Sequence, residues 1–519
     1  MPSNASIAIS IVQMKPKLGN IDLNASKILE FYEKSNAEIV LFPELSLTGY
    51  SPRDKLLSDA FIQECHAKID EILMCIGEKI CIIGTPFFES NKLYNAVIAM
   101  QHGSIIAKSF KTHLPNYGVF EEMRYFSSGL PAFFEYNGVK FGLPICEDIW
   151  HGDVCESLKL QGIDVFLVAN ASPFHKCKHL EREGVAQMRY NETQIPIVYC
   201  NQVLCQDGIL YDGTSFYCDG VMQEMQSFEE GAVVVNFHNG KFVGKIHHTP
   251  LSKMEILHKA LLFGLHEYVC NNGFEKVVIG LSGGADSALV AYLAVNSFGS
   301  KNVIAIFMPS QFTSVESYED AEHLAQNLGI QMRTVSIEEP LAAFHKIIEI
   351  SGTSAENIQA RIRGNILMSI SNMENAMVLT TGNKSEIAVG YCTIYGDMCG
   401  GYNPIKDLYK TEVFEFLKYL NQTNIIIPER IIIKEPSAEL RFDQKDRDFL
   451  PDYTVLDEIL EQIIEKGKQI SDIKFYDRII VEKIWNLVEK SEYKRQQSAV
   501  GTKISEKSLN ISEWRYNIV

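Results

Sequence analysis

The sequence predicts an α/β protein of two domains, residues 1–250 and 251–519. Three observations carry this expectation. The 519 residues exceed what one ordinary core of roughly 100–200 residues holds. The first half is a series of short β-rich runs with helical stretches between them. After Pro250, strand and helix alternate, which is the pattern of a doubly wound parallel sheet covered on both faces.

In the first half, SIAISIVQM, EIVLFPEL, KICIIGTPFF, KFGLPICEDIW, DVFLVANAS and IPIVYCNQV read as strands, several of them closed by Pro, Asn or Ser. Helices are expected near residues 22–35, 56–77 and 176–193. LYNAVIAMQHGSIIAKSFK reads as a hairpin turning at His102-Gly103, and residues 208–247 as shorter strands and turns. In the second half, residues 252–271 alternate apolar and polar at helical spacing. There follow the strand KVVIGL, a helix from Asp286, the strand NVIAIFMPS, a helix from Val315, QMRTVSI, more helix, and the strand AMVLTTG. Residues 490–519 are polar and mixed, with no assignable element.

Hydrophobic residues make up 46% and charged residues 22%, ordinary globular values. A net charge of −17 argues against nucleic acid as the main partner but leaves room for a local phosphate pocket. No two of the 12 cysteines stand at C-x-x-C spacing, so zinc-ribbon and thioredoxin-type sites lack local support. MPSNASIAISIVQM has no basic segment before its interrupted apolar run and reads as a strand rather than a secretion signal. No stretch approaches the roughly 20 apolar residues of a membrane span. The expected setting is cytoplasmic and reducing, with free thiols.

FPELSLTGY, KTHLPNYGVFEEMRYF and GLPICEDIW each place a reactive side chain just beyond an apolar strand, where rigid scaffolds carry their chemistry. Amide hydrolysis through a covalent intermediate needs a nucleophile, a base and a positive group for the oxyanion. Cys146, Glu44 and Lys111 can supply these. The three segments, in this order and at these separations, resemble the nitrilase superfamily over about residues 5–245. The resemblance implies an αββα sandwich with Glu44 as base, Cys146 as nucleophile and Lys111 as oxyanion stabiliser. It also implies Glu122 as a second glutamate near the triad, and Tyr117, Ser172 and Lys178 as glutamine-binding residues.

VVIGLSGGADSALV runs from strand through Ser-Gly-Gly into a helix. Its glycines let backbone N–H groups converge on an anion at the positive end of that helix. The Walker A pattern and its lysine are absent, which suits a pyrophosphate leaving as a unit, with Asp286 available to Mg²⁺. The loop resembles that of N-type ATP pyrophosphatases, with an adenine nucleotide alpha hydrolase-like fold. That resemblance leaves GMP, asparagine and argininosuccinate synthetases and tRNA-thiolating enzymes open. Further downstream, NIQARIRGNILM, TTGNKSEIAVGYCTIYGDMCGGYNPIKDLYKTEV and KEPSAELRFDQKDRDFLPDY resemble NAD synthetases, of the glutamine-dependent type once the first half is counted.

This second resemblance implies ATP contacts from Gly280, Leu281, Ser282, Gly283, Gly284, Ala285, Asp286, Ser287, Thr381, Lys410 and Ser437. It implies deamido-NAD contacts from Asn357, Arg361, Glu386 and Lys503, and Mg²⁺ ligation by Asp286 and Glu386, hard carboxylates suited to that ion. The substrates would be ATP, deamido-NAD and glutamine, with an adenylate intermediate and a channel for ammonia that no residue pattern traces. By the same resemblance the chain assembles as a homo-oligomer, a dimer or larger, with an octamer as the largest form considered. The final LNISEWRYNIV departs from the arginine-rich ending of the family.

Overall fold

Alternating Ile7, Ile9 and Ile11 fit one face of a pleated strand, and the same period of two recurs along the first half. The structure, a computed structural model, describes residues 6–510; the expected arginine-poor tail from residue 511 onward lies outside them. The chain forms two units, residues up to 206 with 210–251, and residues 207–209 with those from 252 onward.

In the first unit the strands are β1 (Ile7–Gln13), β2 (Ile39–Leu41), β3 (Ile80–Glu89), β4 (Lys92–Gln101), β5 (Ser104–Phe110), β6 (Phe133–Tyr136), β7 (Val139–Gly142), β8 (Val165–Asn170), β9 (Ile197–Asn201), β10 (Val203–Gln206), β11 (Ile209–Asp212), β12 (Phe216–Cys218), β13 (Met222–Glu224), β14 (Gly231–His238) and β15 (Lys241–Val243). They form a seven-stranded sheet, β15-β14-β1-β2-β3-β4-β5, a six-stranded sheet, β13-β12-β9-β8-β7-β6, and a separate pair, β10-β11. Inward side chains of the two sheets meet in one core: Ile7, Ile9, Ile11, Ile39 and Leu41 pack with Phe141, Leu167, Val198 and Tyr217. The outward residues of the second sheet, Phe166, Val168, Ile197 and Tyr199, pack on α3 (Gly152–Lys159) and α4 (Lys178–Thr193) through Val154, Leu158 and Ala186. Helices α1 (Ile21–Lys34) and α2 (Asp59–Cys75) pair with each other, and α2 packs on β3 of the first sheet. This is an αββα sandwich.

In the second unit β16 (Lys276–Gly280), β17 (Val303–Phe307), β18 (Met332–Thr334) and β19 (Ala376–Leu379) form a parallel sheet in the order β18-β17-β16-β19. Its helices are α5 (Lys253–Asn271), α6 (Ala285–Phe298), α7 (Val315–Leu328), α8 (Glu338–Ile347), α9 (Thr353–Glu374), α10 (Lys384–Val389), α11 (Lys410–Leu420), α12 (Glu429–Ile433), α13 (Tyr453–Ile464), α14 (Arg478–Lys490) and α15 (Glu492–Arg495). Val278, Ile304, Ile306 and Val378 bury one sheet face against Ile358, Ile362 and Ile366 of α9. Helix α6 packs on β16 and β17 and against α5, and its residues Ala288–Ala294 are all buried. A buried run of that width marks a helix enclosed by protein on most sides. No described helix is long and apolar enough to cross a membrane. None of the twelve cysteines is in a disulfide.

Candidate active sites

Glu44 lies beyond the C-terminal end of β2, in a loop seated on β3. There Gly84 has no room for a side chain, since a Cβ would stand 2.2 Å from the Leu45 nitrogen and 2.6 Å from the Pro43 carbonyl. Lys111 follows β5, its N–H donating to the Asn95 carbonyl at 2.9 Å. Cys146 opens a turn after β7 with φ +44, a left-handed conformation rare for a residue with a side chain and often found where function fixes the backbone. Asp148 holds this turn: one oxygen accepts from the Ile145 N–H at 3.0 Å, the other from Thr112 and His113 N–H at 3.0 and 2.8 Å. Lys111 and Cys146 are thereby tied to one carboxylate, whose own pKa burial pushes up to about 6.

The ammonium of Lys111, 1% exposed, donates to Glu44 Oε1 at 2.7 Å and Glu122 Oε1 at 2.6 Å. Asn95 Nδ2 donates to the same Glu44 oxygen at 2.7 Å, and the Tyr50 hydroxyl to Glu122 Oε1 at 2.7 Å. Among the described residues Glu44 Oε2 is buried without a hydrogen-bond partner. Burial raises the Glu122 pKa to about 7, with Lys111 opposing and Glu44 adding to the rise. Burial would lower the Lys111 pKa, but Glu122 and Glu44 outweigh it and hold the ammonium charged. The Cys146 thiol is pushed well above its ordinary range by burial and then by Glu44; Lys111 pulls the other way and loses. A lysine beside a cysteine suggests a resting thiolate, but the fuller set of neighbours makes it a thiol.

Of the other residues predicted for this site, Tyr117 donates to Glu147 at 3.0 Å. Ser172 Oγ accepts from Arg182 Nε at 3.0 Å. Lys178 pairs with Glu181 at 2.9 Å and lies 4.1 Å over the Trp150 ring. Asn95 and Tyr50 were legible only as parts of a strand and a motif. Their signal, in retrospect, is an amide inside the otherwise apolar run LYNAVIAM and a tyrosine closing FPELSLTGY.

In the second unit a cavity of about 390 Å³ lies at the carboxyl ends of β16 and β19, where open α/β sheets collect ligands. Ser282, Gly283, Gly284, Ala285, Asp286 and Ser287 line it, together with Thr381, Lys410, Ser437, Asn357 and Glu386. Gly283 has φ +78, and a Cβ there would stand 2.3 Å from the Ser317 carbonyl, so the loop requires glycine. Ser282 and Ser287 close the loop through hydroxyls 3.0 Å apart. Lys410 sits between two carboxylates, 2.5 Å from Asp286 Oδ2 and 3.2 Å from Glu386 Oε1. Asn383 caps α10 and donates to Asp286 Oδ1 at 3.0 Å. Burial lifts the Glu386 carboxyl to about 8, with Asp286 and Asp446 adding and Lys410 opposing.

Gly280 and Leu281 form the strand end beneath the cavity and do not line it. Arg361, whose Nε donates to the Ile394 carbonyl at 3.2 Å, also stands outside the lining. So does Lys503, whose buried ammonium donates to the carbonyls of Ser505 at 3.0 Å and Glu506 at 2.7 Å. It points into its own segment rather than toward the cavity, because that segment's carbonyls satisfy it. Asp446, which accepts from Tyr453 at 2.8 Å and Tyr391 at 3.2 Å, was missed; it sits in a sequence crowded with carboxylates that nothing local ranks. Lys384 was missed too: fully buried, it pairs with Asp407 at 2.8 Å and Glu465 at 2.5 Å and donates to Ser505 Oγ and the Lys507 carbonyl at 2.7 and 2.8 Å.

Residues 8–231 match the carbon-nitrogen hydrolase family and residues 257–498 match NAD synthase. Fold and sites therefore define a two-part enzyme, an amide-hydrolysing half joined to a NAD-synthesising half. The chain is 41% identical over 540 aligned positions to the glutamine-dependent NAD(+) synthetase of Rhodobacter capsulatus and 40% identical over 560 to that of Aquifex aeolicus, with 98% of each chain covered in both cases. The solved structure of the Acinetobacter baumannii glutamine-dependent NAD+ synthetase, in complex with ADP, is 35% identical with a TM-score of 0.79 over 99% of this chain and 98% of that one. The chain belongs to the glutamine-dependent NAD(+) synthetases. It is a ligase with glutamine as amide donor.

Proposed function

We propose that Glu44, Lys111 and Cys146 hydrolyse glutamine and that the cavity of the second unit amidates deamido-NAD through an adenylate. The observation that carries the first half is the buried trio itself, in which Glu44 keeps one oxygen unpartnered while the other is anchored by Lys111 and Asn95. Glu44 Oε2 takes the thiol proton as Cys146 Sγ attacks the amide carbon. Lys111 has three N–H hydrogens, two of them committed to carboxylates, and offers the third to the oxyanion. Glu44 returns that proton to the amide nitrogen, which leaves as ammonia, and water cleaves the thioester to give glutamate and the free thiol. Tyr117, Ser172 and Lys178 hold the glutamine, and Glu122, held at 2.6 Å from the Lys111 ammonium, helps to position it.

In the second half the Gly283-Gly284 loop and the start of α6 hold ATP phosphates with Lys410, Thr381 and Ser437. The nicotinate carboxylate attacks the α-phosphorus and pyrophosphate departs. Ammonia then displaces AMP from the adenylate, giving NAD⁺. Asp286 and Glu386 fit Mg²⁺, since they are hard donors already accommodating a cation between them. Among the described residues no three His, Cys, Asp or Glu side chains form a ready cage, so phosphate and water oxygens would complete the shell. Mg²⁺ bound there would offset the charge of the departing pyrophosphate. Asn357, Arg361, Glu386 and Lys503 remain assigned to deamido-NAD, with Lys503 requiring its segment to move.

The boundary between the two activities is placed between residues 250 and 251, and the setting is cytoplasmic. NAD⁺ formation measured with glutamine, and separately with ammonium, tests the reading: both should support synthesis with pyrophosphate released. Failure with ammonium would overturn the second half of the scheme, and failure with glutamine alone the first. The enzyme is further proposed to be a homo-oligomer, a dimer at least and up to an octamer. Light scattering should give a multiple of 58.6 kDa, and an active monomer at assay concentration would refute it.

A further inference from the structure

We infer that Arg182, together with Asp212, is a positioning residue of the glutamine site, one that orders the Ala171–Pro173 loop beside Cys146. This rests on the proposed role of Cys146. Arg182 is on α4 and 1% exposed, which is expensive for a guanidinium unless its donors are used. They are used on one loop and one carboxylate. Nε donates to Ser172 Oγ at 3.0 Å, and one terminal nitrogen donates to the carbonyls of Ser172 at 2.7 Å and Pro173 at 2.9 Å. The other terminal nitrogen pairs with Asp212 Oδ1 at 2.7 Å, and Asp212 Oδ2 accepts from Thr214 Oγ1 at 2.8 Å. The fork therefore clamps a three-residue loop to β11, with Asp212, itself buried, as the fixed post.

The loop needs such a clamp for two reasons. First, the loop lies beside the reacting atom, close enough that the Ala171 backbone lowers the Cys146 pKa against the burial that raises it. The loop follows directly from β8, whose Ala169 bridges Ile145 just before the nucleophile turn. Second, the hydrogen bond from Arg182 sets the polarity of Ser172. A hydroxyl has one hydrogen, and an Oγ that already accepts from a guanidinium presents that hydrogen elsewhere, as a donor. A donor at this position suits the carboxylate of glutamine. Asn201 fixes the other side, its Oδ1 accepting from Ser172 N–H at 2.9 Å. Arg182 would touch neither sulfur nor substrate, and acts only through the loop.

The test compares Arg182→Met, Arg182→Lys and Asp212→Asn in the full-length enzyme. Glutamine-dependent kcat and KM, ammonium-dependent NAD⁺ formation and the rate of Cys146 alkylation by iodoacetamide are measured. Arg182→Met should raise the KM for glutamine by about tenfold or more, the loss of one or two charge-assisted bonds. It should also change the alkylation rate, and it should leave ammonium-dependent synthesis within about twofold. Arg182→Lys should recover part of the loss, because an ammonium can reach one carbonyl but cannot reproduce the fork. Asp212→Asn keeps the guanidinium and should show the same effects more weakly, and it decides the matter should Arg182→Met fail to fold. Unchanged glutamine kinetics and alkylation in Asp212→Asn and Arg182→Lys would overturn the inference, as would equal loss with both nitrogen sources in a protein that melts normally. Cys146→Ala separates the two levels: if it still uses glutamine, the nucleophile assignment fails; if it does not while the Arg182 variants behave as wild type, only the clamp fails.

Discussion

Cys146→Ala is expected to lose glutamine-dependent NAD⁺ synthesis by roughly three orders of magnitude or more while keeping ammonium-dependent synthesis within about twofold. The change deletes the only atom of the site able to form a thioester. Glu44 and Lys111, locked to each other at 2.7 Å, cannot replace it in their proposed roles of proton acceptor and charge stabiliser. The sulfur is buried, so its loss leaves a small void costing on the order of 1 kcal/mol, too little to unfold the unit. Steady-state rates with each nitrogen source, alongside a melting curve, check this. Sustained glutamine use would place the nucleophile elsewhere. Loss of both activities in a normally melting protein would make Cys146 part of a shared element, and the division of labour between the units would fall.

Asp286→Ala should abolish synthesis with either nitrogen source, a loss of about 10³-fold or more, since in the proposed scheme both routes pass through pyrophosphate departure. Asp286 is the carboxylate of the first turn of α6, and it accepts from both Lys410 and Asn383. Removing it takes away a proposed Mg²⁺ ligand and one of the two carboxylates facing the Lys410 ammonium. Asp286→Asn retains the shape and should fail nearly as completely, which separates charge from packing. Near-normal synthesis by a folded Asp286→Ala protein would remove the residue from the machinery. Glutamine hydrolysis by the first unit, followed as glutamate release, is the accompanying control.

The legible parts of these sites were those that chain direction advertises. Glu44, Lys111 and Cys146 each end or follow an apolar run, and the Ser-Gly-Gly loop joins a strand to a helix, so local text was enough. Asn95, Tyr50, Asp446, Arg182 and Lys384 were not legible, because their meaning lies in partners from 7 positions to more than 100 positions away. A buried arginine inside KHLEREGVAQ looks like any solvated helix face until α4 is laid on its sheet. Element ends followed the same logic. The second helix was expected from residue 56, but Ser58 caps it at Asp59 and Arg53–Leu57 form a separate tight turn. The hairpin β6-β7 escaped notice because FFEYNGVKFG carries its turn in Asn137-Gly138, between two strands of only four residues each.

Lys384 sets an order of assembly during synthesis. Its ammonium is fully buried, and its partners include Glu465, Ser505 and the Lys507 carbonyl, 81 to 123 residues downstream. Until those residues leave the ribosome, α10 can be buried only with Asp407 to pair the ammonium and with its remaining donors unsatisfied. Glu386, which lines the cavity of the second unit, is on that helix. The first unit has its own distant pairing, β1 with β14, but that pairing is complete early in the chain, since its last paired strand ends at Val243. As the chain is made from its N-terminus, the half that releases ammonia can therefore close while most of the half that consumes it is still to be translated. A nascent or truncated chain would then be a glutaminase with no acceptor for its product.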